Sequence, residues 1–166
     1  MEDVPKELVA RAMRPHLEFG RGILAEASRA WQDYLLVTMP EPWEVARPLV
    51  DAQPAHLCQV ASMDRSEVEQ IEAALPRADT VVGLGGGMAM DMAKYVAWRR
   101  GQDPVLIPSI ASVDACVTNS IAVRDEGRVR YIGFVVPQVV LTDFDLVLSA
   151  PPALNRAGVG DILSIH

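Results

Sequence analysis

The sequence predicts an α/β fold in which an open parallel sheet is flanked by crossover helices. Three observations support this prediction: short apolar runs rich in β-branched residues recur along the chain, stretches of helical periodicity separate them, and one apolar run ends directly in three glycines. Strands that alternate with helices are typical of parallel sheets, because a parallel pair needs a crossover connection. A β-hairpin is expected in the second half of the chain.

The elements are predicted in regular alternation. Strands are expected at 16–19, 34–38, 56–61, 80–84, 104–107 and 139–142, with helices between the first five of them at 23–31, 41–50, 66–75 and 88–98. The hairpin is expected from 121–124 and 128–136, because Asp125-Glu126-Gly127 lies between them and glycine readily takes the positive φ of a tight turn. We expect this hairpin to lie over the sheet.

The composition sets bounds on the class of protein. The chain has 166 residues, of which 50% are hydrophobic and 22% charged, so it can bury a core and is expected to form one compact domain. Fifteen Lys and Arg against 22 Asp and Glu leave a formal net charge of -7. This acidic balance disfavours binding to nucleic acid or to anionic membranes.

Cysteine and histidine usage indicates a reduced compartment. Cys58 and Cys116 are too few for a disulfide scaffold, and the three histidines are scattered rather than grouped as metal ligands. The N-terminus lacks the features of a secretory signal, and no apolar run approaches the roughly 20 residues of a spanning helix. We therefore expect a cytoplasmic protein.

Gly85-Gly86-Gly87 follows the predicted strand at 80–84 and precedes a predicted helix. Without Cβ atoms, a turn at this position lets the backbone approach a phosphate, and the helix N-terminus points unpaired N–H groups towards it. Dinucleotide binding is the obvious candidate function, while close packing of the backbone is the alternative. The turn differs from the GxGxxG pattern, because Ala89 and Met90 follow where that pattern needs glycine.

The helix after the glycines carries a second candidate feature. Asp91 and Lys94 are three residues apart, so they share a face and either form a solvated ion pair or point towards a ligand cleft. Met88, Met90 and Met92 are interpreted as packing residues rather than as part of a cofactor site.

Three motifs resemble those of one enzyme family. Residues 85–94, Gly-Gly-Gly-Met-Ala-Met-Asp-Met-Ala-Lys, resemble the GGGSxxDxAK signature of iron-containing (group III) alcohol dehydrogenases, the superfamily of glycerol dehydrogenase, glycerol-1-phosphate dehydrogenase and dehydroquinate synthase. Residues 108–115 resemble the P-T-x-A-S-T-D-A segment of glycerol dehydrogenases. Residues 150–161 resemble the A-P-x-x-L-x-x-x-G-x-G-D motif that ends the family's nucleotide domain. The resemblance extends over essentially the whole chain.

The resemblance implies a Rossmann-like dinucleotide-binding domain over residues 1–157, with 158–166 as the start of a helical metal-binding domain. Because the family's two histidine ligands belong to that helical domain, the chain is expected to be a nucleotide domain, a truncation or a proteolytic remnant of a longer enzyme. NAD or NADP and a divalent metal, Zn or Fe, are the implied cofactors. The chain alone is expected to be inactive.

The resemblance also implies roles for individual residues. Asp114 matches the catalytic aspartate that contacts a substrate hydroxyl, and Asp161 matches the carboxylate ligand of the metal. A metal bound to that hydroxyl lowers its pKa, and the alkoxide then releases hydride to nicotinamide. Without the resemblance, a turn or helix-cap role is the simpler interpretation of both aspartates. The implied cofactor-binding residues are Gly85, Gly86, Gly87, Met88, Asp91, Ser109, Ser112 and Thr118.

The sequence departs from the family pattern at several positions. Met88 replaces a residue that often supplies a side-chain donor, Val113 replaces Thr, and Cys116 stands where Pro is common. The loop at 38–41 lacks an aspartate in register for the adenosine ribose, although Glu41 is nearby. The choice between NAD and NADP is therefore open at this point.

The leading interpretation is a metal- and NAD(P)-dependent polyol dehydrogenase that acts on glycerol, glycerol 1-phosphate or a similar polyol or polyol phosphate. Two alternatives are a sugar-phosphate cyclase of the dehydroquinate synthase type, and a dinucleotide-binding module without catalysis. A homo-oligomer is expected, because a chain that ends near Asp161 would expose the apolar surface that packs against a helical domain.

Overall fold

A computed structural model describes residues 15–164, with side chains described for residues 15–158. Its main feature is a six-stranded sheet with the strand order β1-β8-β5-β4-β2-β3, in which all neighbouring strands are parallel. The remaining two strands, β6 and β7, form an antiparallel hairpin. The strands are β1 (Leu17–Gly20), β2 (Tyr34–Thr38), β3 (His56–Gln59), β4 (Thr80–Gly85), β5 (Val105–Pro108), β6 (Ser120–Asp125), β7 (Arg128–Phe134) and β8 (Val139–Asp143).

Helices connect the first five parallel strands, as the alternation in the sequence predicts, whereas the hairpin connects β5 to β8 and two further helices follow β8. They are α1 (Ile23–Arg29), α2 (Pro40–Ala46), α3 (Arg65–Ala74), α4 (Gly87–Arg100), α5 (Phe144–Ser149) and α6 (Pro152–Ser164). The helix predicted at 41–50 is wrong in its length: α2 ends at Ala46, and a 3-10 turn at Arg47–Leu49 follows. Pro48 lies in that turn and has no N–H to continue the α-helical ladder. Over residues 15–164, no helix is long and apolar enough to cross a bilayer.

Both faces of the sheet are covered, so the core consists of two layers. In β2, Leu35 and Val37 join the core cluster under α3, α4 and the hairpin, whereas Tyr34 and Leu36 join the cluster under α1, α2 and α5. All five residues of β2 are buried. This pattern follows from the period of two in a strand, since successive side chains point to opposite faces.

The hairpin packs mainly on α4 rather than directly on the sheet. Ile121 and Val123 of β6 are buried in the same cluster as the residues of α4. At Gly133 in β7, an added Cβ would lie 2.9 Å from the Trp98 ring, so the hairpin backbone lies directly against the end of α4. The expectation that the hairpin lies over the sheet is corrected in this respect, because α4 occupies the space between them.

Burial of Tyr34 makes the stability of the domain depend on pH in the alkaline range. Its side chain is 1% exposed and its hydroxyl donates to the Ala52 carbonyl at 2.6 Å. Burial raises the pKa of Tyr34 from 10.0 to about 12. The contribution of the neutral Tyr34 phenol to the free energy of unfolding is therefore complete below pH 10.0, the ordinary pKa of tyrosine. This contribution is lost as the pH rises towards about 12.

Between pH 9 and pH 11, the free energy of unfolding of the wild-type protein should fall by about 1 kcal/mol more than that of Tyr34→Phe. Urea unfolding at the two pH values measures the difference. Because Tyr34→Phe keeps the ring and removes only the hydroxyl, the other titrating groups cancel in the comparison. Equal losses in the two proteins would show that Tyr34 does not cause the alkaline sensitivity.

Candidate functional site

The strand order opens a crevice at the carboxyl ends of β2 and β4. From β2 the chain moves outward to the edge strand β3, and from β4 it moves in the opposite direction to β5. The segments that follow β2 and β4 therefore diverge, and ligands of open α/β sheets bind at such a switch point.

A cleft of about 470 Å³ lies at this edge of the sheet. Met39 and Glu41 line it after β2, Gly86 after β4, and Ser109 after β5, while α5 and the start of α6 form the opposite wall. Most of the lining is apolar, and among the described residues that line it Glu41 alone is charged. A cleft of this size and character suits a small organic ligand with a few polar groups.

The three glycines of the turn have two different roles. Gly85 has φ 140°, and an added Cβ would lie 3.2 Å from the Ala89 Cβ. Packing and backbone conformation therefore both require glycine at position 85. At Gly86 and Gly87, by contrast, an added Cβ would meet no atom within 4 Å. The open space beside these two residues fits a ligand that approaches the backbone.

Helix α4 presents its first turn to this open space. Its ladder begins with the Met90 N–H, which donates to the Gly86 carbonyl at 3.1 Å, and no side chain of residues 15–158 caps its N-terminus. The earlier N–H groups of a helix have no partner within it, and the helix dipole favours negative charge there. The turn can therefore hold a phosphate through its backbone. Met88 is partly buried and packs against the core, so its side chain adds no polar donor.

Asp91 and Lys94 form the ion pair that their spacing predicts, but the pair is not solvated. The Lys94 Nζ lies 2.8 Å from the Asp91 Oδ1, and the lysine side chain is fully buried. The Asp91 side chain is 14% exposed. A role for Asp91 in cofactor binding stays a prediction. Met90 and Met92 are fully buried in the core, which confirms their interpretation as packing residues.

The loop between β5 and β6 carries the other predicted site residues. Ser109 is buried, and its N–H donates to the Gly85 carbonyl at 3.0 Å, so the loop begins beside the glycine turn. Asp114 and Thr118 are exposed further along, and the Asp114 carbonyl accepts from the Thr118 N–H at 3.1 Å, just beyond the 3-10 turn at Asp114–Cys116. The structure thus brings Ser109 and Gly86 together in the cleft. Ser112, Asp114 and Thr118 lie on the loop outside its lining, and their roles stay predictions.

Asn155 is a structural residue that the sequence did not indicate. Its Oδ1 accepts from the Ala111 N–H at 2.9 Å, and its Nδ2 donates to the Val147 carbonyl at 2.7 Å. Gly158 also packs closely on this loop, since an added Cβ would lie 2.9 Å from the Ala111 carbonyl oxygen. Helix α6 therefore holds the loop in place. The close approach explains a glycine at 158, but no local pattern distinguishes Asn155 from a surface residue.

The comparison with known proteins agrees with this geometry. The profile of the iron-containing alcohol dehydrogenase family matches residues 43–151. The chain belongs to this family. The family resemblance and the α/β fold predicted from the sequence are both confirmed.

Among similar members of the family, glycerol-1-phosphate dehydrogenase [NAD(P)+] of Thermofilum pendens is 32% identical over 97% of this chain and 47% of its own length. Glycerol dehydrogenase of Thermotoga maritima is 37% identical over 59% of this chain and 28% of its own. The crystal structure of a probable glycerol dehydrogenase from Sinorhizobium meliloti 1021 has a TM-score of 0.75 and 26% identity, covering 90% of this chain and 45% of that one. The chain thus spans less than half the length of these relatives.

The family's metal site is not assembled by the residues whose side chains are described. Asp161 belongs to α6, but its side chain lies outside the described residues. Among the described residues, no group of three or more His, Cys, Asp or Glu could hold a metal ion. Burial raises the pKa of the Cys58 and Cys116 thiols, which disfavours the thiolate form that binds metals.

Proposed function

We propose that this chain is the nucleotide-binding part of an NAD(P)-dependent polyol dehydrogenase, which transfers hydride from a secondary alcohol to nicotinamide. The observation that carries the proposal is the glycine turn: its backbone is open at Gly86 and Gly87, and it lies at the mouth of the cleft. The similarity to glycerol and glycerol-1-phosphate dehydrogenases supports a small polyol or polyol phosphate as substrate. Residues 1–157 would form the nucleotide domain, and 158–166 the start of a helical domain.

In this proposal the dinucleotide lies across the carboxyl ends of the strands. The pyrophosphate rests on Gly86, Gly87 and the first turn of α4, which supply backbone donors. The adenosine half extends towards the end of β2, and the nicotinamide half extends towards β5 and the loop with Ser109, Ser112 and Thr118. Asp114, on the same loop, would accept a hydrogen bond from a substrate hydroxyl and so orient the carbon that loses hydride.

A divalent metal, Zn or Fe, held by Asp161 and by ligands beyond the described residues, would act as the Lewis acid for the substrate hydroxyl. The described residues have the separate task of binding and orienting the dinucleotide. We further propose that the protein forms a homo-oligomer. Leu148 and Leu154 support this, because both are exposed apolar side chains, and Leu154 lines the cleft.

Glu41 supports NAD rather than NADP as the cofactor. It follows β2, where the adenosine ribose is expected, and no other charged residue of the described part of the chain lines the cleft. A carboxylate at this place accepts a hydrogen bond from a ribose 2′-hydroxyl and repels a 2′-phosphate.

We expect the chain to bind NAD+ at least about ten-fold more tightly than NADP+, which corresponds to about 1.4 kcal/mol. Calorimetric titration of the 166-residue chain with each nucleotide measures the ratio. Glu41→Gln should lower the ratio of NAD+ affinity to NADP+ affinity. Glu44 is exposed on α2 and lies outside the cleft lining, so Glu44→Gln should leave this ratio unchanged. Failure of the wild-type chain to bind either nucleotide would contradict the proposed function.

A further inference from the structure

Lys94 is a fully buried cation in the middle of α4, and it has a complete set of acceptors. Its ammonium group lies 2.8 Å from the Asp91 Oδ1 and donates to the carbonyls of Ser120 at 2.6 Å and Thr118 at 3.2 Å. A lysine ammonium group has three protons, so each one has an acceptor here. Because burial of an unpaired charge is costly, this position needs all three acceptors.

The acceptors belong to two parts of the candidate site. Asp91 lies on α4, one turn after the glycines on which the pyrophosphate is proposed to rest. Thr118 and Ser120 lie at the far end of the loop that begins at Ser109. The near end of this loop is already held, since the Ser109 N–H donates to the Gly85 carbonyl. Lys94 therefore hydrogen-bonds the far end of the loop to the cofactor helix, in addition to the apolar packing of Ala115 and Cys116 in the core cluster that includes α4.

Both bonds from Lys94 to the loop are made to main-chain oxygens. They constrain the path of the backbone whatever side chains the loop carries, and they lie at the end of the segment that bears Asp114. Without the ammonium group, two carbonyls and the Asp91 carboxylate would lose a charged partner, and they would have to turn towards water. The loop could make that change only by moving away from α4.

We propose that Lys94 is a positioning residue, which holds residues 112–120 against the cofactor helix and so orients the nicotinamide and substrate side of the site. This inference rests on the proposed function for its role in cofactor binding. Lys94 itself touches neither the cleft nor the cofactor in this arrangement. Its loss should therefore weaken binding of the nicotinamide half and spare binding of the ADP-ribose half.

Arg100 provides a matched control on the same helix. Its side chain is 5% exposed and pairs with Glu72 at 3.2 Å. It also donates to the carbonyls of Pro76 and Leu75, at 2.9 Å and 3.1 Å. Arg100 thus makes one ion pair and bonds to two carbonyls, as Lys94 does, but at the C-terminal end of α4 and away from the loop. A purely structural effect of removing such a cation should appear in both variants.

The test compares Lys94→Met and Arg100→Met with wild type by calorimetric titration with NAD+ and with ADP-ribose, which lacks nicotinamide. We expect both variants to lower Tm and to keep ADP-ribose affinity within about three-fold of wild type. Only Lys94→Met should lower the affinity for NAD+. In this variant the fold-loss of NAD+ affinity should be about ten times the fold-loss of ADP-ribose affinity. Amide hydrogen exchange over residues 112–120 should be faster in Lys94→Met and unchanged in Arg100→Met. Lys94→Gln, which keeps an uncharged donor, replaces Lys94→Met if the latter does not fold.

An equal loss of NAD+ and ADP-ribose affinity in Lys94→Met, or the same selective loss in Arg100→Met, would overturn the inference. Wild-type protein that binds neither nucleotide would instead overturn the proposed function. In that case the exchange measurement still decides whether Lys94 holds the loop: faster exchange in Lys94→Met supports this, and unchanged exchange overturns it.

Discussion

Gly87→Val should lower the affinity for NAD+ by about a hundred-fold and leave the stability of the domain within about 0.5 kcal/mol of wild type. An added Cβ at position 87 meets no protein atom within 4 Å, so the substitution costs little in the fold. The same side chain would occupy the space where a phosphate approaches the first turn of α4. Loss of two hydrogen bonds to a charged group, at about 1.5 kcal/mol each, accounts for the expected factor.

Gly87→Ala serves as the graded control, because its single methyl group should weaken binding less than the branched valine. Calorimetric titration gives the affinities, and thermal unfolding shows whether each variant keeps the fold. If Gly87→Val binds NAD+ as wild type does, the glycine turn does not hold the pyrophosphate.

Asp143→Ala should reduce the free energy of unfolding by about 3 kcal/mol, because one buried carboxylate serves the starts of two helices. Asp143 is 1% exposed and ends β8. Its Oδ1 accepts from the Asp145 N–H in α5, and its Oδ2 accepts from the Leu24 N–H in α1, both at 2.9 Å. Alanine would leave the buried Leu24 N–H and the part-buried Asp145 N–H without this acceptor. Because α5 forms one wall of the cleft, NAD+ affinity should fall as well.

Asp145→Ala is the matched control for this prediction. Asp145 lies two residues away, and its side chain pairs with Arg21 on the surface. An exposed ion pair contributes about 0.5 kcal/mol, so its loss should be small. Urea unfolding of the two variants and wild type measures the difference. A similar small loss in Asp143→Ala would mean that the two helices do not depend on this carboxylate.

Most of the fold could be predicted from the sequence, since each strand and helix depends on a local pattern. The apolar run of β2 and the periodicity around α3 indicate their structures without knowledge of the rest of the chain. The structure corrects two of these predictions: the hairpin packs on α4 rather than directly on the sheet, and the helix predicted at 41–50 ends early. The periodicity of β6 shows which residues are buried, but not that α4 covers them. The helical pattern at 41–50 similarly continued through Pro48, which ends the α-helical ladder early.

The candidate site could be predicted only in part. The three glycines and the segment at 108–115 indicate where a dinucleotide would bind, and the family match agrees with them. The sequence left two interpretations of the glycines, close packing or an open cradle. The structure supports both, with packing at Gly85 and open space at Gly86 and Gly87. This distinction depends on the position of Ala89 and on the cleft beside Gly86, and local sequence describes neither.

The sequence by itself determined the family, the order of the strands and of the first four helices, and the position of the glycine turn, because these follow from local periodicity and from motifs. Only the tertiary structure decided that Lys94 is bound to Thr118 and Ser120, and that Asp143 caps two helices. These partners are distant in sequence. They meet because the parallel sheet brings the ends of its strands to one edge, and no local pattern contains that information.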